Sequence, residues 1–137
     1  MHNLRILLLL TCLYPATIMA GSVSMLVDTD WLAKNLEQKH IALVDMSDPM
    51  QYSRFHIPGT RHLPYNAINQ LNRQRVSLSI GSQNIARLLG QLGVTPTMHV
   101  VIYDDVGGLN AARLFWELER LGHQKVSILD GGLVKWI

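Results

Sequence analysis

One stretch, Val100-Val101-Ile102-Tyr103-Asp104-Asp105-Val106-Gly107-Gly108-Leu109-Asn110-Ala111-Ala112-Arg113, does most to restrict the folds open to this chain. It begins as a short apolar run, β-branched at three of its first four positions, and then meets two acids and two glycines. Apolar residues at helical spacing follow at once. A buried parallel strand passes into a helix in this way, through a tight loop. In such sheets chemistry gathers at the carboxyl ends of the strands, where loop amides and a helix N-terminus form a cradle for anions. Yet residues 104–109 contain no cysteine, serine, histidine or lysine, and their only ionisable groups are Asp104 and Asp105.

The remaining pattern alternates helix and strand. Ser22 to Val27 reads as a connector. Asp28-Thr29-Asp30 then offers caps for a helix that buries Trp31, Leu32 and Leu36, with Asn35 at the same spacing. Trp31 is read as a core residue and not as a stacking surface for a ligand. Ile41 to Asp45 is uniformly apolar until its acid and predicts a strand. Pro49 suits the first turn of a short helix running towards Phe55, His56-Ile57-Pro58-Gly59 is a turn, and Thr60 to Leu63 is a second brief strand. Residues 65–81 are polar and read as irregular. Ser82 reads as the cap of a helix whose apolar residues are Ile85, Ala86, Leu88, Leu89 and Leu92, stopped by Gly93.

His99 to Tyr103 is the central strand. The helix from about Asn110 to Leu121 carries Ala111, Leu114, Phe115, Leu118 and Leu121 as its apolar stripe. Arg113 and Glu117 are placed on its exposed side, as a pair worth about 0.2–0.5 kcal/mol, together with Trp116 and Arg120. Gly122 ends this helix, Lys125 to Leu129 is a further strand, and Asp130-Gly131-Gly132 turns into a helix starting at Leu133. The expected fold class is α/β, a parallel β-sheet with helices on both faces.

A length of 137 residues allows one domain, and 48% hydrophobic against 16% charged residues favours a filled interior over disorder. The net charge of +2 is small, and Arg73 and Arg75 stand among Gln and Asn with no run of basic residues, so no nucleic-acid partner is expected. Residues 1–20 read as a secretory signal peptide: a basic start to Arg5, an apolar run from Ile6 to Leu13, and small Ala20 as the cleavage residue. As a spanning helix the run is short and Pro15 interrupts its end, and Thr11 is a poor neighbour for a lipoprotein signal at Cys12. Stable membrane insertion after cleavage is therefore not expected, and the product would be exported, to the periplasm. Cleavage removes Arg5, leaving eleven basic residues against ten acidic, and removes Cys12, the only cysteine. The remaining chain has no thiol for a disulfide or for thiol chemistry.

Other chemistries are poorly supported. The six histidines include no pair four residues apart on a helix, and His56 and His62, which flank a turn, read as a chance pair, so no metal is expected. Gly107-Gly108 does not fit the spacing of a dinucleotide loop, no glycine-rich loop ends in Gly-Lys-Ser or Gly-Lys-Thr, and no serine sits in a G-x-S-x-G elbow. No cofactor is expected. Asp104 and Asp105 admit an acid–base role, which would need one strongly raised pKa. They also suit a helix N-terminus, whose amides a carboxylate accepts. In the second role the carboxylate fills the cradle and repels outside anions.

Several of these segments together resemble the rhodanese family of sulfurtransferases: Leu43-Val44-Asp45, Tyr52 with Phe55-His56-Ile57-Pro58-Gly59-Thr60, Val100 to Tyr103, Leu121-Gly122-His123, and Val126 to Gly132 followed by Trp136. The resemblance covers residues 25–137 and implies the rhodanese-like fold. In active members it implies a cysteine after the central strand that carries sulfur as a persulfide inside a loop of backbone amides. Asp104 stands there, so Asp104, Asp105, Val106, Gly107, Gly108 and Leu109 form a degenerate active-site loop with no catalytic residue. A related phosphatase would need cysteine and arginine in this loop. The chain is most similar to the first domain of two-domain thiosulfate or 3-mercaptopyruvate sulfurtransferases, which carries an acid at this point. The implied partner is a second, catalytic rhodanese domain of the same full-length protein, beyond a chain that breaks off at Trp136-Ile137. The alternative is a stand-alone inactive module that binds a protein in the cell envelope.

Overall fold

The computed structural model describes residues 23–137; the expected signal peptide, with Cys12, lies outside the described residues. Five parallel strands form one sheet in the order β1 (Leu26–Val27), β7 (Val126–Leu129), β6 (His99–Tyr103), β2 (Ile41–Asp45), β3 (Arg61–His62). The helices are α1 (Thr29–Asn35), α2 (Pro49–Arg54), α3 (Tyr65–Ile68), α4 (Ser82–Gln91), α5 (Leu109–Arg120) and α6 (Gly132–Trp136). Strands β4 (Asn69–Leu71) and β5 (Ser77–Ser79) form a separate antiparallel hairpin.

Side chains alternate across a strand, and here both faces are covered. Ala42, Val44, Val100, Ile102 and Val126 point to one core with Ile85 and Leu89 of α4 and Ala111, Leu114 and Leu118 of α5. Ile41, Leu43, Val101, Tyr103 and Leu129 point to the other with Leu32 of α1 and Leu133 of α6. That is why β2 and β6 read as unbroken apolar runs: all ten of their residues are buried. Burying one Val, Leu or Ile contributes about 1.5–3 kcal/mol before the chain entropy is counted.

Four expectations need correction. The connector before α1 contains β1, a short edge strand paired with β7, because its backbone can complete the sheet edge whatever its side chains. Residues 65–81 are ordered as α3 and the hairpin. There the Asn72 side chain accepts the amides of Gln74 (3.0 Å) and Val76 (2.8 Å) and closes the turn, while Val76, Leu78 and Ile80 alternate with Ser77 and Ser79. Ser82 does not cap α4; Gly81 holds the cap position with no side-chain bond, and the Ser82 hydroxyl donates to Glu117 at 3.0 Å. Glu117 is not on the exposed side of α5 but wholly buried, three residues from Leu114 and adjacent to Leu118 on the same packed face.

Candidate functional site

The chain leaves the sheet in opposite directions from β2 and β6, which lie side by side, so the loops after them flank the topological switch point. Two bonds tie these loops together: Met46 N donates to Tyr103 O at 2.9 Å, and Asn110 Nδ2 to Met46 O at 3.4 Å. Tyr103 is buried, and its hydroxyl accepts the amide of Ile57 at 3.0 Å. This bond fastens the His56–Gly59 turn to the strand that feeds the loop. Burial pushes the Tyr103 hydroxyl pKa upward, with the neighbouring Asp45 carboxylate adding to it, so the phenol is held neutral.

Beyond Tyr103 the backbone curls through Gly107 (φ 76°) and Gly108 (φ 90°), conformations open to glycine at little cost, and starts α5. The curl aims its amides inward. Asp104 Oδ1 accepts from Val106 N (3.0 Å) and Gly108 N (2.7 Å), and Oδ2 from Asn110 N (2.7 Å) and Ala111 N (2.9 Å). Only 1% of Asp104 is exposed. The cradle expected at this helix N-terminus is therefore occupied by the chain's own carboxylate, through four charge-assisted bonds. Asp105 takes no part in these four bonds. Val106 and Leu109 are exposed at the rim, with Gly107 between them.

The nearest arginine in sequence gives the loop no cation. Arg113 Nη2 lies 3.4 Å from Glu117 Oε1, within a cluster that includes Arg120 and Ser82. Sequence reasoning missed a ring stack beside the loop after β2. The Tyr52 ring stacks on both His56 (centroids 4.3 Å apart) and His62 (4.0 Å), so these histidines are joined through an aromatic and are not a chance pair. His62 Nε2 contacts Ser47 O at 3.0 Å. Among the described residues no group of three or more His, Cys, Asp or Glu is placed to hold a metal ion, and no helix is long and apolar enough to cross a membrane.

The family model of the rhodanese-like domain matches residues 28–137. The chain belongs to this family. It is 32% identical over 117 residues to a thiosulfate sulfurtransferase of Pseudomonas aeruginosa, covering 85% of this chain and 43% of that protein. It is 30% identical over 125 residues to the 3-mercaptopyruvate sulfurtransferase of Escherichia coli K12, covering 84% of this chain and 44% of that protein. A crystal structure of a 3-mercaptopyruvate sulfotransferase from Escherichia coli superposes with a TM-score of 0.63 at 30% identity, over 83% of this chain and 48% of that one. The rhodanese chain thus spans less than half the length of these relatives.

Proposed function

We propose that this rhodanese domain carries no sulfur itself and serves as the non-catalytic first domain of an exported sulfurtransferase. Sulfane sulfur would pass from thiosulfate or 3-mercaptopyruvate to a thiophilic acceptor on the cysteine of a second rhodanese domain. The single observation that carries the reading is the Asp104 carboxylate, seated on four backbone amides where active members hold a persulfide. A carboxylate has no thiolate to accept sulfur. Its negative charge also takes up the hydrogen bonds that would otherwise stabilise the transferred group. The only cysteine, Cys12, precedes the domain. The domain's task would be to wall the donor cleft, with Val106 and Leu109 at the loop rim offering apolar surface to the catalytic partner.

The test is transfer of sulfur from thiosulfate to cyanide, followed as thiocyanate. The chain alone is expected to match the buffer rate, and a fusion to a cysteine-bearing second rhodanese domain to turn over. Thiocyanate formed catalytically by the chain alone, or sulfur from labelled thiosulfate held covalently on it, would end the proposal. For export, the N-terminus of the secreted product is expected at Gly21; an intact Met1 on protein recovered from the cytoplasm would remove that part.

A further inference from the structure

None of the residues from Asn69 to Ser79 in the β4–β5 hairpin is buried, and Leu71, Val76 and Leu78 are 63%, 51% and 45% exposed. One exposed leucine means little, but three aliphatics on a single short hairpin call for a cause. They do not share a face. Leu71 pairs with Ser77 and Leu78 with Gln70, so alternation sets the two leucines on opposite sides of the ribbon. The Leu71 side turns towards α3, where Tyr65 Oη lies 3.5 Å from Ser77 Oγ, yet Leu71 stays open. A rigid partner covers one side of such a ribbon, whereas a fluid apolar medium covers both at once.

The turn carries charge of one sign. Arg73 and Arg75 are exposed at its tip. From Pro49 to Tyr103 the chain has no aspartate or glutamate, so the hairpin, α3 before it and α4 after it hold no carboxylate to neutralise the pair. Arg75 holds φ 62°, a position that glycine or asparagine fills more readily.

The backbone of the turn is closed on itself. Asn72 N donates to Val76 O and Arg75 N to Asn72 O, both at 3.0 Å, while the Asn72 side chain accepts the amides of Gln74 and Val76. Four of the five amides from Asn72 to Val76 thus have partners inside the turn, and a turn built this way leaves bulk water at low cost. A peptide strand seeking backbone partners gains nothing from amides already paired.

We propose that the hairpin is a peripheral anchor for an anionic lipid surface. Leu71, Val76 and Leu78 settle at the acyl boundary, and the guanidiniums of Arg73 and Arg75 reach back along their aliphatic stems to lipid phosphates. The contact is reversible, and no helix among the described residues is long and apolar enough to add a span. A second copy of this chain fits poorly, because a two-fold contact would set one arginine pair against the other. Nucleic acid fits poorly too, since a phosphate backbone needs a row of cations and has no use for aliphatics on both sides. The inference goes beyond the sulfurtransferase reading and does not depend on Asp104.

The test uses residues 21–137, which hold every described element and both cores, so that the apolar run of residues 6–13 cannot bind lipid in place of the hairpin. This segment has no cysteine, so Gln74→Cys places a single environment-sensitive fluorophore at the tip. With vesicles of mixed phosphatidylglycerol and phosphatidylcholine, co-sedimentation and a brighter, blue-shifted label are expected, and with pure phosphatidylcholine much less of both. Added salt is expected to weaken binding severalfold. Arg73→Gln combined with Arg75→Gln is expected to weaken it about tenfold, and Leu71→Ser combined with Leu78→Ser about fivefold. Lys34→Gln on α1, which packs on the other face of the sheet, is expected to leave binding unchanged. The arginine and leucine variants are independent, so misfolding of one, seen in its urea unfolding curve, leaves the other to decide. No binding, equal binding to neutral vesicles, a tip label that stays in water while the chain sediments, an equal loss with Lys34→Gln, or tighter binding to polyglutamate or an oligonucleotide would each overturn the proposal.

Discussion

The carbonyl oxygen of Asp104 accepts the Leu133 amide at 3.0 Å, and Gly132 lies so near that a Cβ there would come within 2.5 Å of that oxygen. Asp104 therefore joins two helices. Its carboxylate fixes the start of α5 and its carbonyl fixes the start of α6. The obstacle at Gly132 is backbone and cannot swing aside, and its φ of +54° adds strain for any residue with a Cβ. Gly132→Ala is expected to cost roughly 2–4 kcal/mol in urea unfolding. Gly107→Ala, which meets nothing within 4 Å, is expected to cost only about 1 kcal/mol from its positive φ. Equal losses at the two positions would show that the Asp104 contact is not what requires glycine.

Removing the carboxylate leaves four amides unpaired. Hydrogen bonds to a charge contribute about 1.5–3 kcal/mol each, but water can enter past exposed Val106 and Gly107 and replace part of the loss. Asp104→Ala is expected to lose about 2–4 kcal/mol by the same measurement. Asp104→Asn is expected to be no better, because its amide nitrogen would set donors against the donors of Asn110 and Ala111 or of Val106 and Gly108. Formate should raise the unfolding midpoint of Asp104→Ala and leave the parent chain unmoved. A parent chain that gains as much from formate would mean its cradle is not filled.

Asp104→Cys restores the family's nucleophile type without restoring its surroundings. No basic side chain lies within residues 104–109, and Arg113 already pairs with Glu117 at 3.4 Å. Thiosulfate-to-cyanide transfer by this variant is expected to stay at background, even where thiol titration shows the new cysteine to be accessible. Efficient turnover would show that the amide cradle alone suffices.

How much of this was legible in the sequence depends on where each residue gets its partners. Strands β2, β6 and β7 are legible because burial on both faces leaves runs such as Val100-Val101-Ile102, which have little other use. The filled cradle is legible because an acid after a strand and before a helix has four amides within reach of one local turn. The hairpin is only half legible: Val76-Ser77-Leu78-Ser79-Ile80 alternates apolar and polar residues, but Asn69-Gln70-Leu71 does not, and the turn between them is built on the Asn72 side chain. The burial of Glu117 is not legible from its charge, only from its position. Three residues from Leu114 and adjacent to Leu118, it belongs to the buried stripe, where Ser82 and two arginines meet it. The Tyr52–His62 stack arises from a tertiary contact that no local period records.

Protonation of His99 couples pH to stability through the edge strand. Its Nε2 lies 2.8 Å from Ser127 Oγ, and the Ser127 hydroxyl donates to the carbonyl of Ser24, just before β1. Ser127 therefore receives its own hydrogen bond from the Nε2–H of a neutral ring. Burial lowers the His99 pKa below its usual 6.5, and the positive ends of His40, His123 and Lys125 lower it further. With the folded pKa below the unfolded one, the unfolded chain takes up this proton first. The contribution is thus complete above about pH 6.5 and is lost as pH falls through that value towards the folded pKa. Urea unfolding between pH 7.5 and pH 5 is expected to show stability falling with acidification, by at most about 1.4 kcal/mol per pH unit from this group. His99→Gln keeps a donor for Ser127 without a titrating ring, so the difference between parent and variant isolates His99 from the other histidines. A parent slope no steeper than that of His99→Gln across this window would place the pH sensitivity elsewhere.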